Sequence, residues 1–123
     1  MLQKKILIVD DEQAITRLLK LNLENTGAYL VREENEGAKA HAAARDFKPE
    51  LILLDVMMPD MDGGDVASQI KSDPLLKSIP IVFLTAAVKQ DELAAHGGMI
   101  GGFHYIAKPL DVQGVLAVIE RHL

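Results

Sequence analysis

Leu51-Ile52-Leu53-Leu54-Asp55-Val56-Met57-Met58-Pro59 decides how this chain is read. Four apolar residues in a row read as a strand buried on both faces, and the run stops at a carboxylate. An ionised Asp inside such a strand costs several kcal/mol or more. Asp55 is therefore expected just past the strand end, in contact with water or a cation. Pro59 and Gly63-Gly64 mark an irregular loop before the next helix.

Outward from that stretch the chain repeats the move three times. Ile6-Leu7-Ile8-Val9 ends in Asp10-Asp11-Glu12, Ile81-Val82-Phe83-Leu84 ends at Thr85, and Phe103-His104-Tyr105-Ile106-Ala107 ends at Lys108-Pro109. Tyr29-Leu30-Val31 is a shorter strand with no polar terminator of interest. Helical spacing fills the gaps. Asp11 is expected to cap a helix carrying Ile15, Leu18, Leu19 and Leu23, which stops at Gly27. Asn35 is expected to cap a second, with Ala40, Ala43, Ala44 and Phe47, closed by Pro49. A third runs through Val66, Ala67 and Ile70 to Ser72-Asp73-Pro74. A fourth, from about Lys89 to Ala95, has few apolar anchors and stops in Gly97-Gly98. Asp111 is expected to cap the last, with the stripe Val112, Val115, Leu116, Ile119 and Leu123.

Strands alternating with helices predict one parallel sheet with helices on both faces and right-handed crossovers. All strand C-termini then share one edge, where open α/β sheets place ligands. Asp10, Asp11, Asp55, Thr85 and Lys108 are expected to meet there. The second strand suits an outer position, which points to the order 2-1-3-4-5.

Composition narrows the partners. At 123 residues, 49% hydrophobic and 25% charged, the sequence fits one soluble domain over residues 1–123. No apolar run approaches the roughly 20 residues of a membrane span. The start lacks a secretory signal, and zero cysteines exclude disulfides and thiolate metal sites, which fits a cytoplasmic setting. A net charge of -5 argues against direct nucleic-acid binding and favours protein partners. The sequence ends with the fifth helix, so no output domain is expected in it.

Adjacent strands lie about 4.8 Å apart, so acids ending the first and third strands become close neighbours. Such charges repel unless a cation sits between them. Oxygen ligands without clustered His suit Mg²⁺, with Mn²⁺ as the alternative. Three carboxylates, one divalent ion and Lys108 sum to zero charge, a balance that can accept a phosphoryl dianion. A carboxylate beside a metal can attack phosphorus and form an aspartyl phosphate. Thr85 can donate its hydroxyl to a phosphoryl oxygen, and Lys108 has the reach to join it. The Met57 carbonyl could face the metal. His41, His96, His104 and His122 lack metal-ligand spacing and read as surface or packing residues.

Asp10-Asp11, Asp55 with Met57-Met58-Pro59 and Gly63, Thr85-Ala86 and Lys108-Pro109 together resemble a response-regulator receiver domain. The resemblance covers essentially the whole chain, in order. It implies a flavodoxin-like (βα)₅ fold and a role in two-component phosphorelay signalling. Asp55 would accept the phosphoryl group from a sensor histidine kinase or a histidine phosphotransfer protein. Asp10, Asp11, Asp55 and the Met57 backbone carbonyl would hold Mg²⁺. Thr85 and Lys108 would bind the phosphoryl oxygens, and Lys108-Pro109 would be a cis peptide. Thr85 and Tyr105 would form the switch. It would alter the face made by the fourth helix, fifth strand and fifth helix toward a downstream protein, an output domain or a phosphorylation-dependent homodimer.

One stretch departs from the family: Gly97-Gly98-Met99-Ile100-Gly101-Gly102 is glycine-dense where a short turn is usual, so a mobile loop is expected there. In the family the residues two past the acceptor and two past the switch hydroxyl tune phosphoryl lifetime. Here Met57 and Ala87 offer no polar group to orient water, which predicts slow self-dephosphorylation. Two other functions compete. A dehalogenase-like phosphohydrolase needs an acid where Met57 stands, and a binding-only pseudo-receiver is expected to have lost an acid, the hydroxyl or the lysine.

Overall fold

The computed structural model describes residues 2–95, 97–100 and 102–123. In chain order they form β1 (Lys4–Val9), α1 (Gln13–Asn25), β2 (Tyr29–Glu34), a 3-10 turn (Gly37–Lys39), α2 (Ala40–Phe47) and β3 (Leu51–Asp55). There follow α3 (Gly63–Lys71), β4 (Ile81–Thr85), α4 (Gln90–Ala95), β5 (Met99–Ile100), β6 (Phe103–Ala107) and α5 (Val112–His122).

The sheet has the order β2-β1-β3-β4-β6-β5. Its first five members run parallel, in the flavodoxin-like order read from the sequence once β6 is counted as the expected fifth strand. Every residue of β3 and β4 is buried, which explains their unbroken apolar runs. Alternate residues serve opposite faces. Leu7, Val9, Ile52, Leu54, Ile81 and Phe83 pack against Ala40, Ala43, Ala44, Val66 and Ile70 of α2 and α3. Ile6, Ile8, Leu51, Leu53, Val82 and Leu84 pack against Leu19 and Leu23 of α1 and Val115 and Ile119 of α5.

Six local readings need correction. Asp55 does not lie past the strand end in water: it is the last residue of β3 and is buried, with the Lys108 ammonium 3.4 Å from its carboxylate in place of solvent. Leu123 does not join the stripe of the last helix, because α5 ends at His122 and Leu123 is exposed. The sheet gains a sixth strand, because β5 folds back antiparallel on β6, pairing Met99 with His104 and Ile100 with Phe103. Gly97, Gly98 and Gly102 adopt φ of +64°, +80° and +85°, a region open to glycine at little cost, so the glycines build a hairpin. At Gly98 a Cβ would also lie 2.8 Å from His104 Nε2. The first helix is not capped by Asp11: Glu12 holds the N-cap position, and Asp10 Oδ1 ties the turn by accepting from Glu12 N at 2.9 Å. Asn35 caps nothing, since its amide is committed to α1 and β1 and the next helical turn begins after Glu36. Leu18 faces solvent, and Thr16 takes its place among the buried residues of α1.

Asp111 does hold the N-cap position of α5, without a side-chain hydrogen bond. Asp62 caps α3, accepting from Asp65 N at 2.9 Å. His41 joins α2 to the loop after α3 through Asp73 at 2.9 Å, and His104 packs edge-on against His122. His96 lies outside the described residues. No described helix is long and apolar enough to cross a membrane.

Candidate functional site

The sheet edge gathers the acids because β1 and β3 are neighbours in register, Val9 opposite Leu54, so Asp10 and Asp55 emerge side by side. Asp10 and Asp55 are buried and Asp11 is exposed. Each offers a carboxylate oxygen, and the three oxygens lie within 4.8 Å of one another. Ligands at about 2.1 Å from Mg²⁺ stand at most about 4.2 Å apart, so this all-oxygen set needs little closure to fit a hard divalent ion. Asp10 Oδ2 reinforces the fit. It is buried, and its close partner among the described residues is the Lys108 ammonium, 2.9 Å away.

Lys108 reaches the acids from the end of β6. Its Nζ lies 3.4 Å from Asp55 Oδ1 and 3.4 Å from Glu12 Oε1. Burial opposes its charge, yet the close approach of Asp10 and the negative charges of Asp10, Asp55 and Glu12 prevail, so its pKa stands above the ordinary lysine value. Lys108 N also donates to the Thr85 carbonyl at 2.8 Å, and the Lys108–Pro109 bond is cis. Burial pushes the Asp55 carboxyl up to about 6, helped by the charge of Asp10 and opposed by Lys108.

Thr85 ends β4, one residue beyond Leu84, the partner of Asp55. Its side chain is buried and Oγ1 accepts from Ala87 N at 3.0 Å. Tyr105 is half-buried on β6, its ring 5.1 Å from that of Phe83. It lines a cavity of about 300 Å³ with Leu93, Asp111 and Val118. Met57 is exposed beside the site and, with Val56, Met58, Pro59, Asp62 and Gly64, walls an open cleft of about 640 Å³. Gly63 closes the loop: its N–H donates to Val56 O at 2.7 Å, and it sits against the Asp55 carbonyl.

Three residues at this edge were not singled out for the site. Glu12 is a further acid on Lys108, and its place in the run Asp10-Asp11-Glu12 was the available signal. Asn35 donates to Asp10 O at 2.8 Å, and Asp60 accepts from Gly37 N and Ala38 N. Neither carries a periodic signal in the sequence.

Acids that can hold a cation, a carboxylate raised toward neutral pH, and an amine and a hydroxyl beside it suit acceptance of a phosphoryl group. Known proteins share this arrangement of chain. The response regulator receiver domain matches residues 6–120. The polar-differentiation response regulator DivK of Brucella anthropi is 34% identical over 121 residues, covering 98% of this chain and 96% of DivK. The DNA-binding dual master transcriptional regulator RpaA of Synechocystis sp. is 40% identical over 97% of this chain but only 48% of RpaA. The chain spans about half the length of several relatives it matches. The crystal structure of chemotaxis protein CheY4 of Vibrio cholerae superposes with a TM-score of 0.84 at 27% identity, covering 99% of this chain and 100% of that one. The chain belongs to the response regulator receiver domain family, the phosphorylation-dependent signalling switches of two-component systems.

Proposed function

We propose that Asp55 accepts the phosphoryl group, from a phosphohistidine on a sensor histidine kinase or a histidine phosphotransfer protein, in a cytoplasmic setting. The observation that carries this reading is Lys108 standing between Asp10 and Asp55, 2.9 and 3.4 Å from their carboxylates. Asp10, Asp11, Asp55 and the Met57 carbonyl would hold Mg²⁺, with Mn²⁺ as a substitute, and the ion would supply charge neutralisation at the site. The Asp55 carboxylate attacks phosphorus, the bond from phosphorus to the donor nitrogen breaks, and a proton returns to the donor imidazole. Lys108 and the Thr85 hydroxyl neutralise and hold the phosphoryl oxygens.

Thr85 would give up Ala87 N as its partner when it turns to the phosphoryl group. Tyr105 would turn inward, and the face of α4, β6 and α5 would change its preference for a downstream protein, an output domain or a second copy. This is a local charge event biasing a two-state element. The function is tested by incubating the protein with Mg²⁺ and acetyl phosphate and weighing it intact. One added phosphoryl group is expected, and an unchanged mass would sink the reading in favour of a binding-only domain. Steady turnover of excess phosphate ester would instead favour a phosphohydrolase.

The lifetime of the phosphorylated form gives a second expectation. Met57 is exposed and apolar, and Ala87 offers only a methyl group, so neither orients an attacking water. Slow self-dephosphorylation follows. Met57→Asn combined with Ala87→Glu is expected to speed phosphoryl loss about tenfold or more, followed by intact mass over time. An unchanged decay rate would remove these two positions from the account.

A further inference from the structure

We propose that residues 35–38, between β2 and α2, form a strap that sets the spacing of the two acid-bearing loops and thereby the affinity of the site for its divalent cation. This rests on the cation reading given above. At one end Asn35 Nδ2 donates to the Asp10 carbonyl at 2.8 Å and to Thr16 Oγ1 at 3.0 Å. It so pins the end of β1 to the first turn of α1. At the other end Gly37 N and Ala38 N donate to Asp60 Oδ1 and Oδ2 at 3.2 and 2.9 Å. Asp60 lies on the loop that follows Asp55. Gly37 is pressed against that loop, where a Cβ would stand 2.7 Å from Met61 O and 3.1 Å from Met58 Cε. Four consecutive residues therefore grip the Asp10 loop and the Asp55 loop at once.

Such a grip answers a physical need. Backbone pairing ties Asp10 to β2, through Asp10 N to Glu34 O at 3.1 Å, and Asp55 to β4. But β1 and β3 pair with each other no further than Val9 and Leu54, so the ladder does not join the Asp10 loop to the Asp55 loop. Without a cation the three carboxylates push one another apart. Lys108 opposes that push from β6, and the strap opposes it from the side of β2. A site kept near its bound spacing loses less order when the ion arrives, so its affinity is higher. Asn35 and Asp60 are positioning residues in this scheme.

Both ends belong to one restraint, which makes the test sharp. Titrating Mg²⁺ into the full chain by calorimetry, Asn35→Ala and Asp60→Ala are each expected to weaken binding about tenfold. The double variant is expected to weaken it by about the same factor, because releasing either end frees the same loops. Both variants should keep the wild-type circular dichroism and a cooperative urea transition, which a general loss of structure would not allow. Asp73→Asn, whose carboxylate pairs with His41 and Arg45 of α2 and with neither acid-bearing loop, should leave Mg²⁺ affinity unchanged. If Asp60→Ala does not fold, Asp60→Asn, which keeps one acceptor, should shift affinity the same way by a smaller factor. Wild-type affinity in both single variants, or losses that multiply in the double, would overturn the strap. A wild type that binds no Mg²⁺ would overturn the cation reading itself, and the strap with it.

Discussion

Asp55→Asn is expected to take up no phosphoryl group from acetyl phosphate and yet to be more stable than the wild type when both are free of metal at neutral pH. The first half follows from chemistry, since an amide has no anionic oxygen to attack phosphorus. The second follows from the environment of the carboxylate. Burial, then the charge of Asp10, raises its pKa from 3.8 to about 6, against the pull of Lys108. That shift is worth about 3 kcal/mol at most. An acid raised in the folded state lends stability that is fully present below about pH 3.8 and is lost as pH rises through about 6. At pH 7 the wild type has lost all of it, and the neutral amide is expected to recover roughly 1–2 kcal/mol, the rest being the cost of burying a polar group. Urea melts in chelator from pH 4 to pH 8 should show the variant gaining on the wild type as pH rises. Adding Mg²⁺ should reverse the ranking. A phosphorylated variant would remove Asp55 from the acceptor role, and a gap between the two proteins independent of pH would remove the electrostatic account.

Gly63→Ala is expected to destabilise the chain by about 3 kcal/mol and to blunt phosphorylation with it. Two effects oppose each other at this position. Alanine favours a helix over glycine by about 1 kcal/mol, and Gly63 is the first residue of α3. Against that, a Cβ would overlap the Asp55 carbonyl oxygen and lie 2.9 Å from Val56 Cα. Backbone atoms, unlike a flexible side chain, have nowhere to go. The clash wins, and relief would come only by shifting the strand end that carries Asp55. Gly64→Ala is the matched control, because its Cβ would meet only the Asp62 side chain at 3.2 Å. Urea midpoints should fall sharply for the first variant and little for the second. Equal midpoints would show that the loop gives way more easily than the packing suggests.

How much of this could be read from the chain alone depended on whether a residue belonged to a pattern. The buried strands announced themselves because β3 and β4 leave no side chain in water, so nothing polar interrupts Leu51–Leu54 or Ile81–Leu84. Their polar terminators were legible for the same reason: Asp10, Asp55, Thr85 and Lys108 stand out at the ends of apolar runs, and parallel strands bring those ends together. Asp11 and Asn35 were misread because short polar side chains favour helix caps on average. Here Asp10 took the backbone N–H of Glu12, and Asn35 found the Asp10 carbonyl 25 residues away. Distant pairs such as Asn35 with Asp10, Gly37 with Asp60 and His41 with Asp73 leave no periodic trace. Strand β5 was hidden in glycines, which are poor strand formers but allow the left-handed corners a tight hairpin requires.

That hairpin also governs how the sheet ends. A long, flat outermost strand would offer a row of free amides and carbonyls to any extended chain nearby, an invitation to fibre growth. Two residues, with left-handed Gly98 before them and left-handed Gly102 before β6, offer almost no such template. Contacts made at that border must therefore be read out by side chains, which can discriminate one visitor from another, while the main chain stays closed to all of them.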